Sequence, residues 1–159
     1  MNKKGQVQLS FGMIFSIIII IATVAIGFYV ITYFLNLSSC TKVGIFWNSF
    51  NEEVDKAWNS DIAQTVFEKE IPSGITYLCL GNFSQMPLEV DRKFFTDLKG
   101  YESPGRNAYL YPAGKACDAA FYNIKHAKTD RFFCVPAKSG TLSVKISKTS
   151  SDALVKLSP

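Results

Sequence analysis

Five side chains in this 159-residue chain are best suited to redox, metal or proton chemistry: Cys40, Cys79, Cys117, Cys134 and the sole histidine, His126. No two of the cysteines form a C-x-x-C pair, so a zinc site would need four distant thiolates without the usual spacing. The chain also lacks H-E-x-x-H, G-x-S-x-G and a phosphate-cradling glycine loop, and His126, between Lys125 and Lys128, reads as a surface or strand-end residue. We therefore expect no enzyme, no catalytic residue, no metal and no cofactor. An even number of cysteines, all beyond residue 37, points instead to two disulfides formed in an oxidising compartment. Four cysteines allow three pairings. Cys79 with Cys134 is preferred because both lie in strand-like segments, 76–80 and 132–135, and Cys40 would then join Cys117 and tie a helix end to the domain.

Two modification patterns also stand out. Asn36-Leu37-Ser38 and Asn82-Phe83-Ser84 match the N-glycosylation acceptor pattern; Asn36 falls too near the apolar run, which leaves Asn82 as the candidate. Leu37-Ser38-Ser39-Cys40 fits a lipobox, but the apolar run before it is longer than such signals use, and an anchored Cys40 would leave an odd number of cysteines.

The element that must position all of this is the N-terminal apolar run. No charge occurs between Lys4 and Lys42. Residues 9–37 would make a helix about 40 Å long, against roughly 30 Å of bilayer hydrocarbon. A cleavable secretory signal has an apolar core of only about 7–15 residues, so the run reads as a retained membrane helix. Lys3 and Lys4 precede it, whereas Lys42 is followed by Glu52, Glu53 and Asp55, and this bias places the N-terminus in the cytoplasm and the remainder outside the cell. Phe28, Tyr29, Tyr33 and Phe34 gather at the outer end, at headgroup level. Gly12 with Ser16, and Thr23 with Gly27, form small-x-x-x-small pairs that would let a second helix approach, implying a homo-oligomer.

Beyond Lys42 the chain carries 14 basic and all 13 acidic residues, so the exported part is nearly neutral and does not call for nucleic acid. Lys145, Lys148 and Lys156 read as a solvated face rather than a polyanion site. Val43, Trp47, Phe50, Val54 and Trp58 recur at helical spacing, so residues 38–60 should form an amphipathic helix continuing the first, its stripe covered by the domain that follows. Residues 65–71 and 75–80 flank Pro72-Ser73-Gly74 and read as an antiparallel hairpin. A short helix is expected over 90–98, and strands over 108–111, 131–135, 141–147 and 153–157, the third with Leu142, Val144 and Ile146 alternating with polar residues. The expected fold is α+β: a basic flank over 1–8, a transmembrane helix over 9–37, its amphipathic continuation over 38–60, and a small antiparallel β-rich extracellular head over 61–159.

Lys3-Lys4-Gly5-Gln6 ahead of the apolar helix resembles the class III signal of archaeal type IV pilin-like proteins. The resemblance covers about the first 35 residues. It implies that a prepilin-type peptidase reads Lys3, Lys4, Gly5 and Gln6 and cuts after Gly5, that the helix packs into a filament core, and that a β-rich head faces out. Many such proteins have a glutamate where this chain has Ser10, so no carboxylate stands ready there for a neighbouring amine. The stretch 5–20 is also similar to uncharacterised single-span proteins of small-genome archaea, from which no activity follows. The expected function is a pilin-like surface subunit that self-associates through its helix; the alternative is an uncleaved single-pass protein with an extracellular binding domain.

Overall fold

The computed structural model describes residues 11–159, the side chain of Asn36 excepted. Lys3, Lys4, Gly5, Gln6 and Ser10 lie outside the described residues. The fold is α+β, a long N-terminal helix α1 (Phe11–Trp58) followed by a small region of mainly antiparallel strands. The chain divides into two compact units, one ending at Ser38 and the other spanning Ser39–Pro159.

In the first unit every described side chain from Phe11 to Leu35 is exposed. The helix is long and apolar enough to cross a membrane. Its backbone satisfies itself along the segment, as hydrocarbon surroundings require. The polar stretch 36–41 does not interrupt α1, and it contains neither proline nor glycine that would break the hydrogen-bond ladder.

The second unit begins with the rest of α1 and continues as β1 (Ala63–Glu70), β2 (Tyr77–Leu80), α2 (Arg92–Lys99), β3 (Ala108–Tyr111), β4 (Phe121–Tyr122), β5 (Ala127–Lys128), β6 (Phe133–Pro136), β7 (Thr141–Lys148) and β8 (Val155–Ser158). The strands form two sheets, ordered β1-β7-β8-β5 and β4-β3-β2-β6. Val43, Phe46, Trp47, Phe50, Val54 and Ala57 of α1 are buried and share one core with Leu142, Val144 and Ile146 of β7 and with Leu78 and Leu80 of β2. Each of the larger side chains among them contributes about 1.5–3 kcal/mol by leaving water. The Trp47 ring stacks on Tyr122 at 5.2 Å between centroids, and its Nε1–H donates to the Ala119 carbonyl at 2.7 Å. Trp58, at the end of the stripe, is exposed at 37%.

The second sheet is covered on both faces. Leu78 and Leu80 face the main core, whereas Cys79, with Tyr109 and Phe132, joins a second cluster under Leu98 of α2. Phe83, Phe94 and Phe95 pack against that cluster, which accounts for the aromatic density of the head.

Several sequence expectations are corrected. Residues 65–71 and 75–80 do not form a hairpin: β1 pairs with β7, and β2 pairs with β3 and β6. The cause is burial. Only Phe67 is buried in β1, which suits an edge, while Leu78, Cys79 and Leu80 are all buried and suit a central strand with two neighbours. Gly74, at φ +91°, turns the chain from one sheet to the other. The β-rich head is not wholly antiparallel, because β5 pairs with β8 in parallel. β4 and β5 were not expected, being two residues each and too short to show a period. A 3-10 turn, Glu89–Asp91, precedes α2, so the regular helix starts two residues later than expected.

Candidate functional site

At about 100° per residue, Gly12, Ser16, Thr23 and Gly27 fall within an arc of about 60° on α1. Ser16 Oγ donates to the Gly12 carbonyl at 2.8 Å, and Thr23 Oγ1 to Ile19 and Ile20 at 3.0 and 2.9 Å. These hydroxyls are satisfied within their own helix, so the face offers no bare donor to an apolar solvent. A Cβ built on Gly27 meets nothing within 4 Å. The arc is therefore a shallow, small-residue face on an otherwise bulky helix, a surface on which a second backbone can approach closely. Tyr29 and Tyr33 stack at 6.4 Å and are exposed, as are Phe28 and Phe34.

The cysteines are consumed in two disulfides, Cys40–Cys117 and Cys79–Cys134. Cys40 lies on α1 and Cys117 in a 3-10 turn 77 residues later, so this bond fastens the second unit's helix to the loop before β4. Cys79 and Cys134 are direct partners across β2 and β6, with Cα atoms 4.0 Å apart. The Cys134 N–H points away from β2, which marks a non-hydrogen-bonded pair, the closer of the two antiparallel spacings. With its sulfur bonded to Cys117, Cys40 has no thiol to carry a lipid. Among the described residues no group of three metal-ligating side chains gathers.

Asn82 is exposed, and its Oδ1 accepts from the Ser84 N–H and hydroxyl, an Asx turn on the surface. His126 takes a left-handed backbone, φ +59°, just before β5. Its ring lies flat on Trp58, 3.7 Å between centroids and 6° between planes, with Nδ1 3.0 Å from Asp55 Oδ1. The histidine thus pins the end of α1 to the β5 side of the first sheet. Lys148 donates to the Trp58 and Ser60 carbonyls and Lys156 pairs with Asp130, while Lys145 stays exposed, so the three lysines have separate duties. Burial pushes the Tyr109 hydroxyl up to about 12, and it donates to the Arg106 carbonyl at 3.0 Å.

One feature of the second unit was not read from the sequence. A cavity of about 580 Å³ opens between the turn before α2, the edge of β6 and the end of β8. Leu88, Val90, Phe133 and Leu157 supply its apolar wall, and Asp91, Asp130, Arg131 and Lys156 its charged side chains. Asp91 is only 6% exposed. By position it is the N-cap of α2, the usual place for a surface aspartate, yet it makes no side-chain cap bond. Its Oδ1 instead accepts the Cys134 N–H at 3.3 Å. Burial raises the carboxyl above its ordinary value, with the bond from Cys134 opposing. Nothing in Leu88-Glu89-Val90-Asp91 marks the aspartate as buried, because the burial comes from β6 and β8, far along the chain. Compared with known proteins, the chain matches no family model, no curated protein and no solved structure.

Proposed function

We propose that this chain is a pilin-like surface subunit: inserted in the cell membrane by α1, with the N-terminus cytoplasmic and the β-rich head extracellular, and self-associating through the helix. The observation that carries the reading is the apolar part of α1, exposed from Phe11 to Leu35, with Gly12, Ser16, Thr23 and Gly27 on one narrow arc. Exposed apolar surface on this scale needs lipid, other copies of the helix, or both. The resemblance of Lys3-Lys4-Gly5-Gln6 to a class III signal supports removal of residues 1–5 by a prepilin-type peptidase. Two disulfides in the head support an oxidising exterior. Replacing Gly12 and Gly27 by leucine tests the association. Leucine favours the helix itself and blocks close approach, so crosslinked oligomers should disappear; crosslinking equal to that of the unaltered protein would remove the reading.

The second reading is a permanently anchored, uncleaved single-span protein whose ectodomain binds a ligand. The cavity beside Asp91 is the observation that favours it.

A further inference from the structure

The cavity beside β6 holds two charges without a counter-ion. Asp91 is more than nine-tenths buried, and its single described hydrogen bond is the one Oδ1 accepts from Cys134. Its second oxygen, Oδ2, has no partner among the described residues, and no fully enclosed polar side-chain atom lacks one, so Oδ2 is open to the cavity that the residue lines. Arg131 lines the same cavity and forms no ion pair among the described residues. The remaining two charged side chains there, Lys156 and Asp130, pair with each other. The apolar part of the cavity wall is Leu88, Val90, Phe133 and Leu157.

The chemistry of an occupant follows by elimination. A wholly apolar ligand would leave the carboxylate desolvated and unpaired, which is costly. A simple anion would meet Asp91, and a simple cation would meet Arg131. A ligand carrying one ammonium, one carboxylate and an apolar body answers all three features, and a cavity of about 580 Å³ lies within the size range of small-molecule sites. We propose that this cavity binds a small zwitterion with an apolar body, such as an apolar amino acid, its ammonium on Asp91, its carboxylate on Arg131 and its apolar part against Phe133 and Leu157. The site lies wholly within the second unit, so it depends neither on processing nor on self-association of the helix.

Isothermal titration of the full chain in gentle detergent at pH 7.5, corrected against empty micelles, tests the site with three probes of one apolar body: L-phenylalanine, 2-phenylethylammonium and 3-phenylpropionate. L-phenylalanine should bind at least tenfold more tightly than either half-charged analogue. Asp91→Asn, which keeps an acceptor for the Cys134 N–H, should erase its advantage over 3-phenylpropionate. Arg131→Gln, at an exposed position, should erase its advantage over 2-phenylethylammonium. The inference is overturned if none of the three binds, if all bind alike, or if either variant keeps the full preference while far-UV circular dichroism shows it folded.

Discussion

Asp91 Oδ1 takes the outward-facing N–H of Cys134 at 3.3 Å, on the side of β6 that has no neighbouring strand. An unpaired sheet edge invites another strand, and here a side chain fills the bare donor while Pro136, which has no N–H, ends the strand. The disulfide partner Cys79 stands on the opposite side of the same residue. One residue thus joins a covalent crosslink to a sealed edge.

Removing the acceptor should expose that dependence. Asp91→Ala leaves the half-buried Cys134 N–H without its acceptor and should destabilise the head by about 1 kcal/mol, whereas Asp91→Asn, which retains an oxygen, should cost less. The pH dependence has a definite sign. Because burial raises the folded-state value above the unfolded one, the native state holds the extra proton between the two, and stability falls as pH rises through that window, from about 4 upward. Denaturant melts of Asp91→Asn across pH 4 to 7 should show a flatter profile than the unaltered protein.

Asp152 should act in the opposite direction. Lys128, first, and the Thr149 hydroxyl and N–H hold its carboxyl well below the ordinary carboxylate range. Its contribution is present above about pH 4 and is lost as pH falls below that toward the depressed folded value. Asp152→Asn should therefore speed Val155 amide exchange at pH 7, where the contribution is whole, and its difference from the unaltered protein should shrink as pH falls below about 4.

The two disulfides close loops with sequence separations of 77 and 55 residues. Removing a disulfide typically costs about 2–4 kcal/mol, and each of these two should cost toward the upper end of that range. Cys40→Ser with Cys117→Ser should lower the thermal midpoint of the head, and mild reductant should do the same to the unaltered protein. An unchanged midpoint in both would show that the burial of Trp47 and Phe50 alone fastens the second unit's helix.

Much of this fold is legible in the chain, for reasons that can be traced. The stripe of Val43, Trp47, Phe50 and Val54 is helical by period, and all four are buried. Leu142, Val144 and Ile146 alternate with polar residues, and the three are fully buried in β7. Local patterns of this kind report which face of an element is covered. They do not report by what. Tyr77-Leu78-Cys79-Leu80 is apolar on both faces, so nothing in it told β1 from β3 or β6 as its neighbour. The Pro72-Ser73-Gly74 cluster signals a turn correctly, but a turn between two sheets and a turn within a hairpin use the same residues. The cavity was illegible for the same reason, since its walls come from residues near 90, 133 and 157 that only tertiary packing brings together.

The self-association of the helix is tested most directly by sedimentation of the protein from its native membrane in gentle detergent, with the N-terminal residue of the sedimenting species determined. A pilin-like subunit should sediment as large or filamentous material beginning at Gln6. A monomer or small oligomer that begins at intact Met1 would contradict that reading and favour the anchored, ligand-binding one.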